Sequence, residues 1–489
     1  MNQSLQNKPA RWLSPLVHLS NNWLSLVGVV AVTTAAILWL FLLPTSLRGD
    51  VEHPYIGILA FLALPGLFFA GLAIIPLGIY RHLRRHRALS IPVTSFPPLD
   101  LGDADLRRLL LFVGVTTVAN LVIGTQFLYR AVTYMGGVTF CGQTCHTVMR
   151  PEFAAYQGSP HSRVECVACH IGPGASWFVR SKLSGVGQVF AVTFNTFPRP
   201  IPTPVHNLRP ARETCEHCHW PQKFGHDRLR IVSKFGDDEA NSKTLTVLLM
   251  RIGGGPRGPG IHGAHLGEGV NIQYAHAGED RQNIPWVEYA NSATGRRTVF
   301  LAADAKPEAV RNLTRRVMDC MDCHNRPSHA FELAEGAVDR AMADGAISSS
   351  LPYVKKTAVE LLRKTYTRHE EAAETIPAAL QTYYRKNHAA LYAKNRDEII
   401  RAARALVGIY QRNVFPEMKI TWGTYPNNIG HMDFPGCFRC HDDRASADGR
   451  KITQDCNNCH RMLAMDEAAP KVLTDLGLAG SDNGAASQR

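Results

Sequence analysis

The stretch Cys141-Gly-Gln-Thr-Cys145-His146, followed closely by Cys166-Val-Ala-Cys169-His170, decides how the rest of the chain is read. The pattern returns as Cys215-Glu-His-Cys218-His219, Cys320-Met-Asp-Cys323-His324, Cys437-Phe-Arg-Cys440-His441 and Cys456-Asn-Asn-Cys459-His460, and together these consume all 12 cysteines. Two cysteines on one turn can form thioethers with both vinyl groups of one haem, and the histidine directly after them is held beneath the iron. The series therefore predicts six covalently bound haem c groups, with His146, His170, His219, His324, His441 and His460 as proximal iron ligands. Zinc ribbons also use Cys-x-x-Cys pairs, but they do not require a histidine after every second cysteine. The first segment carries three residues between its cysteines, so attachment is expected there in a different register.

Upstream of these segments, Trp23 to Leu43, Tyr55 to Tyr80 and Leu109 to Leu128 are apolar runs without a charged residue. Each is long enough to cross about 30 Å of hydrocarbon as a helix. A signal peptide is the alternative for the first run, but the run exceeds a usual apolar core and no small-residue cleavage site follows it. Arginine sets the orientation. Arg81, Arg84, Arg85, Arg87, Arg107 and Arg108 lie between the second and third runs, and Lys8 and Arg11 precede the first, whereas Pro44 to Pro54 holds only Arg48 against Asp50 and Glu52. The positive-inside rule then puts the N-terminus in the cytoplasm of a bacterial inner membrane. Everything after the third run is exported to the periplasm, the oxidising side on which c-type haem is attached.

With 489 residues and 45% apolar composition the chain is neither fibrous nor disordered. The formal charge of +12 does not indicate nucleic-acid binding: the basic residues are dispersed, and haem propionates would offset them. The expected fold is mainly α with much irregular structure: three N-terminal transmembrane helices and an exported multihaem domain with a small β-hairpin insertion. Residues 1–22 read as a cytoplasmic stub, 23–130 as the membrane domain, and 131–235 as the region of haems 1–3. Residues 236–318 read as a β-rich insertion, with strands at Ile284 to Ala290 and Arg296 to Ala302. The region 319–469 reads as helical with haems 4–6, and 470–489 as a mobile Gly/Ser/Asn/Ala tail. Ile399, Ile400, Ala403, Leu406, Val407 and Tyr410 share one helical face, and Asn395 with Glu398 has the form of an N-terminal capping box. With so few residues per haem, the macrocycles are expected to supply much of the interior, so the exported part should fold poorly without them.

The opposite face of each iron needs a ligand. Bis-histidine ligation suits low-potential electron transfer, because a second imidazole closes the iron to substrate. The candidates are Met149, His161, His206, His226, His262, His265, His329 and His431. The most favoured are His161 just before the second segment, His262 and His265 beside a glycine-rich loop, His329 shortly after His324, and His431 shortly before Cys437. His369 and His388 sit among charged helical residues and are expected to face solvent.

From the third apolar run through Phe140-Cys141-Gly-Gln-Thr-Cys145-His146-Thr-Val-Met149-Arg-Pro151, Ser159-Pro-His161 and Cys166-Val-Ala-Cys169-His170, the chain resembles the NapC/NirT family of membrane-anchored multihaem cytochromes c. The resemblance covers Leu109 to His219 and is looser at Cys320 to His329 and His431 to His441. It implies that the haem of Cys141 and Cys145 meets membrane quinol, that Met149 is a candidate ligand there, and that Lys182 belongs to the quinol site. Gln188 stands where that family has an acid. The expected function is electron transfer from quinol through a haem chain to a periplasmic acceptor or partner subunit, a quinol dehydrogenase activity. Two other readings are a catalytic reductase of a small nitrogen or sulfur oxyanion, and a subunit of a larger membrane complex without its own quinol site.

Overall fold

The computed structural model describes residues 22–47, 63–88, scattered positions from 107 to 128, and the chain from 129 to 478 apart from 145, 173–174, 206–207, 221–225 and 254–259. It divides into two compact units, Met1–Cys145 and His146–Arg489.

In the first unit, helices α1 (Trp23–Leu47) and α2 (Leu64–Ala88) pack side by side. They run antiparallel: Trp39 meets Phe68 at one end, and the Ser25 hydroxyl donates to the Ile75 carbonyl, 3.0 Å away, at the other. Between these contacts the seam is made of small residues. A Cβ on Gly71 would lie 2.8 Å from the Gly28 carbonyl oxygen, and one on Gly28 would lie 2.8 Å from that of Gly71. Close backbone approach of this kind associates helices where lipid removes the hydrophobic drive. Among the described residues one helix, Leu64–Arg85, is long and apolar enough to cross a membrane, and Trp23–Trp39 is a shorter apolar stretch. Most of the third apolar run lies outside the described residues. Those described between 107 and 136 are all helical, with Leu111, Val115, Val118 and Val122 exposed along one face.

The second unit opens with α3 (His146–Gln157) and α4 (Ala175–Thr193). Two antiparallel sheets follow. The first joins β1 (Arg228–Phe235) and β2 (Lys243–Met250) to a strand from far downstream, and α5 (Gly260–Leu266) then precedes the second sheet. That sheet consists of β3 (Val270–Ala277), β4 (Asn283–Asn291), β5 (Arg296–Leu301) and β6 (Thr314–Val317) in the order β5-β4-β3-β6. The β4–β5 hairpin is the one read from the sequence, with Asn291 opposite Arg296. It is the edge of a larger sheet, not an isolated insertion. In β3, Val270 to Tyr274 alternate apolar and polar before the phase slips at Ala275, a strand signal that went unused, and β6 is too short to show a period.

Helices α6 (Ala334–Ala343), α7 (Val354–Leu362), α8 (His369–Asn387) and α9 (Arg396–Asn413) form a bundle between the fourth and fifth cysteine segments. Its core is protein throughout: Val338, Leu362, Ile376, Leu380, Tyr384, Ile399 and Leu406 are all fully buried. The largest apolar cluster among the described residues contains no cysteine segment. Asn395 does precede α9, but its amide donates to the Glu398 carboxylate at 3.2 Å and caps no backbone N–H. His369 is also corrected. It is 3% exposed, donates Nε2–H to the Val414 carbonyl at 2.6 Å and accepts at Nδ1 from Arg150, 2.8 Å away. It starts α8, and that end of the helix is turned in against the end of α9, so its charged neighbours were misleading. His388 is half-buried against Tyr353, Tyr383 and Tyr384. Strand β7 (His460–Glu467) returns to complete the first sheet beside β2.

Candidate haem-binding sites

Each two-residue spacer is wound into or beside a single helical turn: Cys166–His170, Ala211–Cys215, Cys320–Cys323, Gly436–Arg439 and Cys456–Cys459. One turn returns the chain to the same side, which is what aims two sulfurs at one porphyrin. The caps are built in. Asp319 accepts from Met321 N at 2.8 Å while its own N–H donates to Asp322 at 2.7 Å, and Asp455 accepts from Asn457 N at 3.0 Å. The first segment begins in a π-helical turn, Phe140–Thr144. This wider turn takes up the additional spacer residue.

The histidines come in pairs. Ring centroids lie 6.2 Å apart for His170 and His329, 5.9 Å for His219 and His161, and 6.2 Å for His324 and His262. They lie 5.8 Å apart for His441 and His265, and 6.2 Å for His460 and His431. A metal–nitrogen bond of about 2 Å on each side plus the ring radii requires roughly 6 Å between imidazoles that share one iron. In four of these ten rings the other nitrogen is engaged as ligation needs. Nδ1–H donates to the Pro327 carbonyl from His161 (3.2 Å), to Glu152 from His329 (3.0 Å), to Ile261 from His265 (2.7 Å) and to Thr453 from His441 (2.9 Å). A carbonyl oxygen can only accept, so these rings carry hydrogen on Nδ1 and leave Nε2 for a metal. Burial lowers the pKa of His170, His262, His265, His324 and His460, favouring the neutral, ligating form.

The remaining environment suits a macrocycle better than a bare ion. Among the described residues no three His, Cys, Asp or Glu side chains converge to hold a metal ion, and none of the eleven described cysteines is in a disulfide. Large apolar side chains are exposed beside the segments, Val164, Trp220, Val317, Met432, Phe438 and Met462 among them. This is the surface a porphyrin face would cover. A cavity of about 230 Å³ opens beside Cys320, lined by Ala211, His265, Ile272, Val317 and Asp319.

The second to sixth cysteine segments abut in chain order. Cys169 feels Cys218; Cys215 is hydrogen-bonded to Cys320, which raises its pKa; and Cys459 feels Cys437. Burial, with Cys437 and Cys440 nearby, pushes the Cys323 thiol up to about 12. In mature protein these sulfurs would be thioethers, so the shifts mark proximity only.

Of the other expected site residues, His206 and Cys145 lie outside the described residues, as do the side chains of His146 and Lys182. Met149 is half-buried against the cluster of Val148, Phe331 and Phe415. His226 is exposed just before β1, and Gln188 is exposed on α4. Sequence reasoning passed over the spacer residues. Phe438 stacks on His431 at 4.3 Å, and Arg439, 9% exposed, donates to the carbonyls of Gly436 and Arg281 at 2.9 Å and to that of Asp322. Nothing in Cys-x-x-Cys marks those positions, although an arginine and an aromatic between two cysteines that would tether a haem would lie next to it.

A comparison with curated proteins bears on the chain as a whole. The cytochrome c-type protein ImcH of Geobacter sulfurreducens is 40% identical over 448 residues, 90% of this chain and 88% of the relative. The chain belongs to the family of this cytochrome c-type protein. It is thus a c-type cytochrome, with covalently bound haem and electron transfer as its chemistry. No family model matches it, and no solved structure does.

Proposed function

We propose that the chain is a membrane-bound hexahaem cytochrome that takes electrons from membrane quinol and passes them through its haem series to a periplasmic acceptor or partner subunit. The five imidazole pairs carry the reading. Each combines a segment histidine with one of the most favoured distal candidates, and five irons closed on both faces suit electron transfer and disfavour a reductase, which needs an open position. When bound, haem iron supplies reversible one-electron chemistry. The protein's part is to tether each group by two sulfurs, to fix the imidazoles of His161, His265, His329 and His441 through their Nδ1 hydrogen bonds, and to set the groups in chain order.

The entry site rests on the NapC/NirT resemblance. Lys182 and Gln188 both lie on α4, whose residues Leu183, Val186 and Phe190 are 70%, 49% and 59% exposed. An exposed apolar helix of this kind suits a quinol at the lipid boundary, and the resemblance makes Lys182 the polar group for the quinol hydroxyls. The membrane position, with haem in the periplasm, is supported by the apolar helix α2 and the arginine distribution. The test is reduction of purified protein by menaquinol and ubiquinol analogues, followed at the haem absorbance. Reduction that is lost in Lys182→Ala supports the site. A wild-type protein that neither quinol reduces, yet that reduces with dithionite, overturns the entry-site reading.

A further inference from the structure

Two of the proposed distal ligands, His262 and His265, belong to one seven-residue helix, α5, yet they face different partners, His324 of the fourth segment and His441 of the fifth. Three residues apart is the spacing that brings two side chains to neighbouring positions on a single helical face. The helix is held at its start, where Ile261 N donates to the Arg251 carbonyl at 2.8 Å and His262 N to the Ile252 carbonyl at 2.9 Å. Arg251 is itself fixed, its N–H donating to the Cys459 carbonyl at 2.9 Å and its guanidinium to the Asn457 carbonyl at 3.0 Å. At the other end Arg212 donates to the Leu266 carbonyl at 3.2 Å.

The cysteine side of the same two sites is also joined. Arg439, in the spacer of the fifth segment, donates to the backbone carbonyl of Asp322, in the spacer of the fourth. The Asp322 side chain, 4% exposed, accepts from the Tyr274 hydroxyl at 2.5 Å and from Arg316 at 3.3 Å, which ties this junction to the second sheet. Asn428 also donates to the Asp322 carbonyl at 3.1 Å. A buried guanidinium that donates to three carbonyls is costly to uncouple, because it and its acceptors would lose those partners away from water.

From these contacts we infer that Arg439 and α5 are positioning elements that clamp the fourth and fifth haem sites into one rigid unit, held through Asp322 on the cysteine side and through His262 and His265 on the other. This rests on the ligand pairing of the proposed function. The two haems of the unit cannot reorient independently, so a change made at the clamp is read at both.

The experiment uses the full-length, haem-loaded protein and electron paramagnetic resonance with spectropotentiometry. His265→Ala should convert one haem to high spin. An alanine inserted between Gly263 and Ala264 turns His265 by about 100° relative to His262, so one or both of these haems should lose low-spin ligation while the others keep it. Arg439→Gln leaves every proposed ligand in place and should shift the midpoint potentials of two haems, whereas Arg450→Gln, at an exposed arginine, should shift none. If the insertion leaves all haems low-spin, or Arg439→Gln moves no potential or only one, the clamp is overturned while the ligand pairing stands. If His265→Ala leaves every haem low-spin, the pairing itself fails and the clamp with it.

Discussion

Leu406→Ala tests whether the helical bundle is a body separate from the haem region. Leu406 is fully buried in the cluster with Ile376, Leu380, Ile399 and Ala403. The change removes three carbons, worth about 2 kcal/mol of transfer free energy. The cavity left behind brings the loss to about 3–5 kcal/mol where the surroundings cannot collapse, and here the cluster is shared by four helices, α6 to α9, fixed by one another. For a module of this size each kcal/mol moves the midpoint by about 4–8 °C, so a loss of 3 kcal/mol gives a fall of roughly 12–24 °C. The assay is thermal unfolding of the detergent-solubilised, haem-loaded chain, followed together by far-UV circular dichroism for the helices and by Soret absorbance for the haem environment. The expected result is an early helical transition displaced downward, with the Soret transition where it is in the wild type. Coincident displacement of both signals would refute the reasoning, since it would mean that the bundle and the haem sites unfold together.

Other expectations follow from particular contacts. His329→Ala should make one haem high-spin, and that signal should vanish when Cys166 and Cys169 are also replaced by serine but persist when Cys320 and Cys323 are, because His329 faces His170 and not its sequence neighbour His324. Gly71→Leu would drive a side chain into the Gly28 carbonyl, 2.8 Å from the new Cβ, and should lower the yield of membrane-integrated protein, whereas Gly66→Leu, with nothing within 4 Å, should not. Asp339 pairs with Lys355 at 2.6 Å and accepts from Phe235 N at 3.0 Å, but burial outweighs these and holds its carboxyl above the ordinary 3.8. A carboxyl raised on folding binds its proton more tightly in the native state, so stability should fall as pH rises from just below 4 through the raised value. Denaturant midpoints measured across that window should show the decline in wild type and a flatter profile in Asp339→Asn.

The candidate attachment segments were legible in the sequence because the chemistry proposed for them is local. Both cysteines and the proximal histidine fall within about one helical turn, so residue identity at fixed spacing specifies tether and ligand together, and even the odd spacer of the first segment has its counterpart in a π turn. The β4–β5 hairpin and the helices from residue 331 onward were legible for the same reason, since hydrophobic period and turn chemistry act over a few residues.

What tertiary structure alone decided was which histidine meets which. His161 immediately precedes the second segment yet faces His219 of the third; His329 follows the fourth yet faces His170 of the second; His431 precedes the fifth yet faces His460 of the sixth. A distal contact closes a loop of arbitrary length, and the free energy that selects it comes from packing of the whole unit, which no spacing rule encodes. The completion of the first sheet by β7, the burial of His369 and the reach of Arg439 to Asp322 arise in the same way, from segments that become neighbours only once the chain has folded.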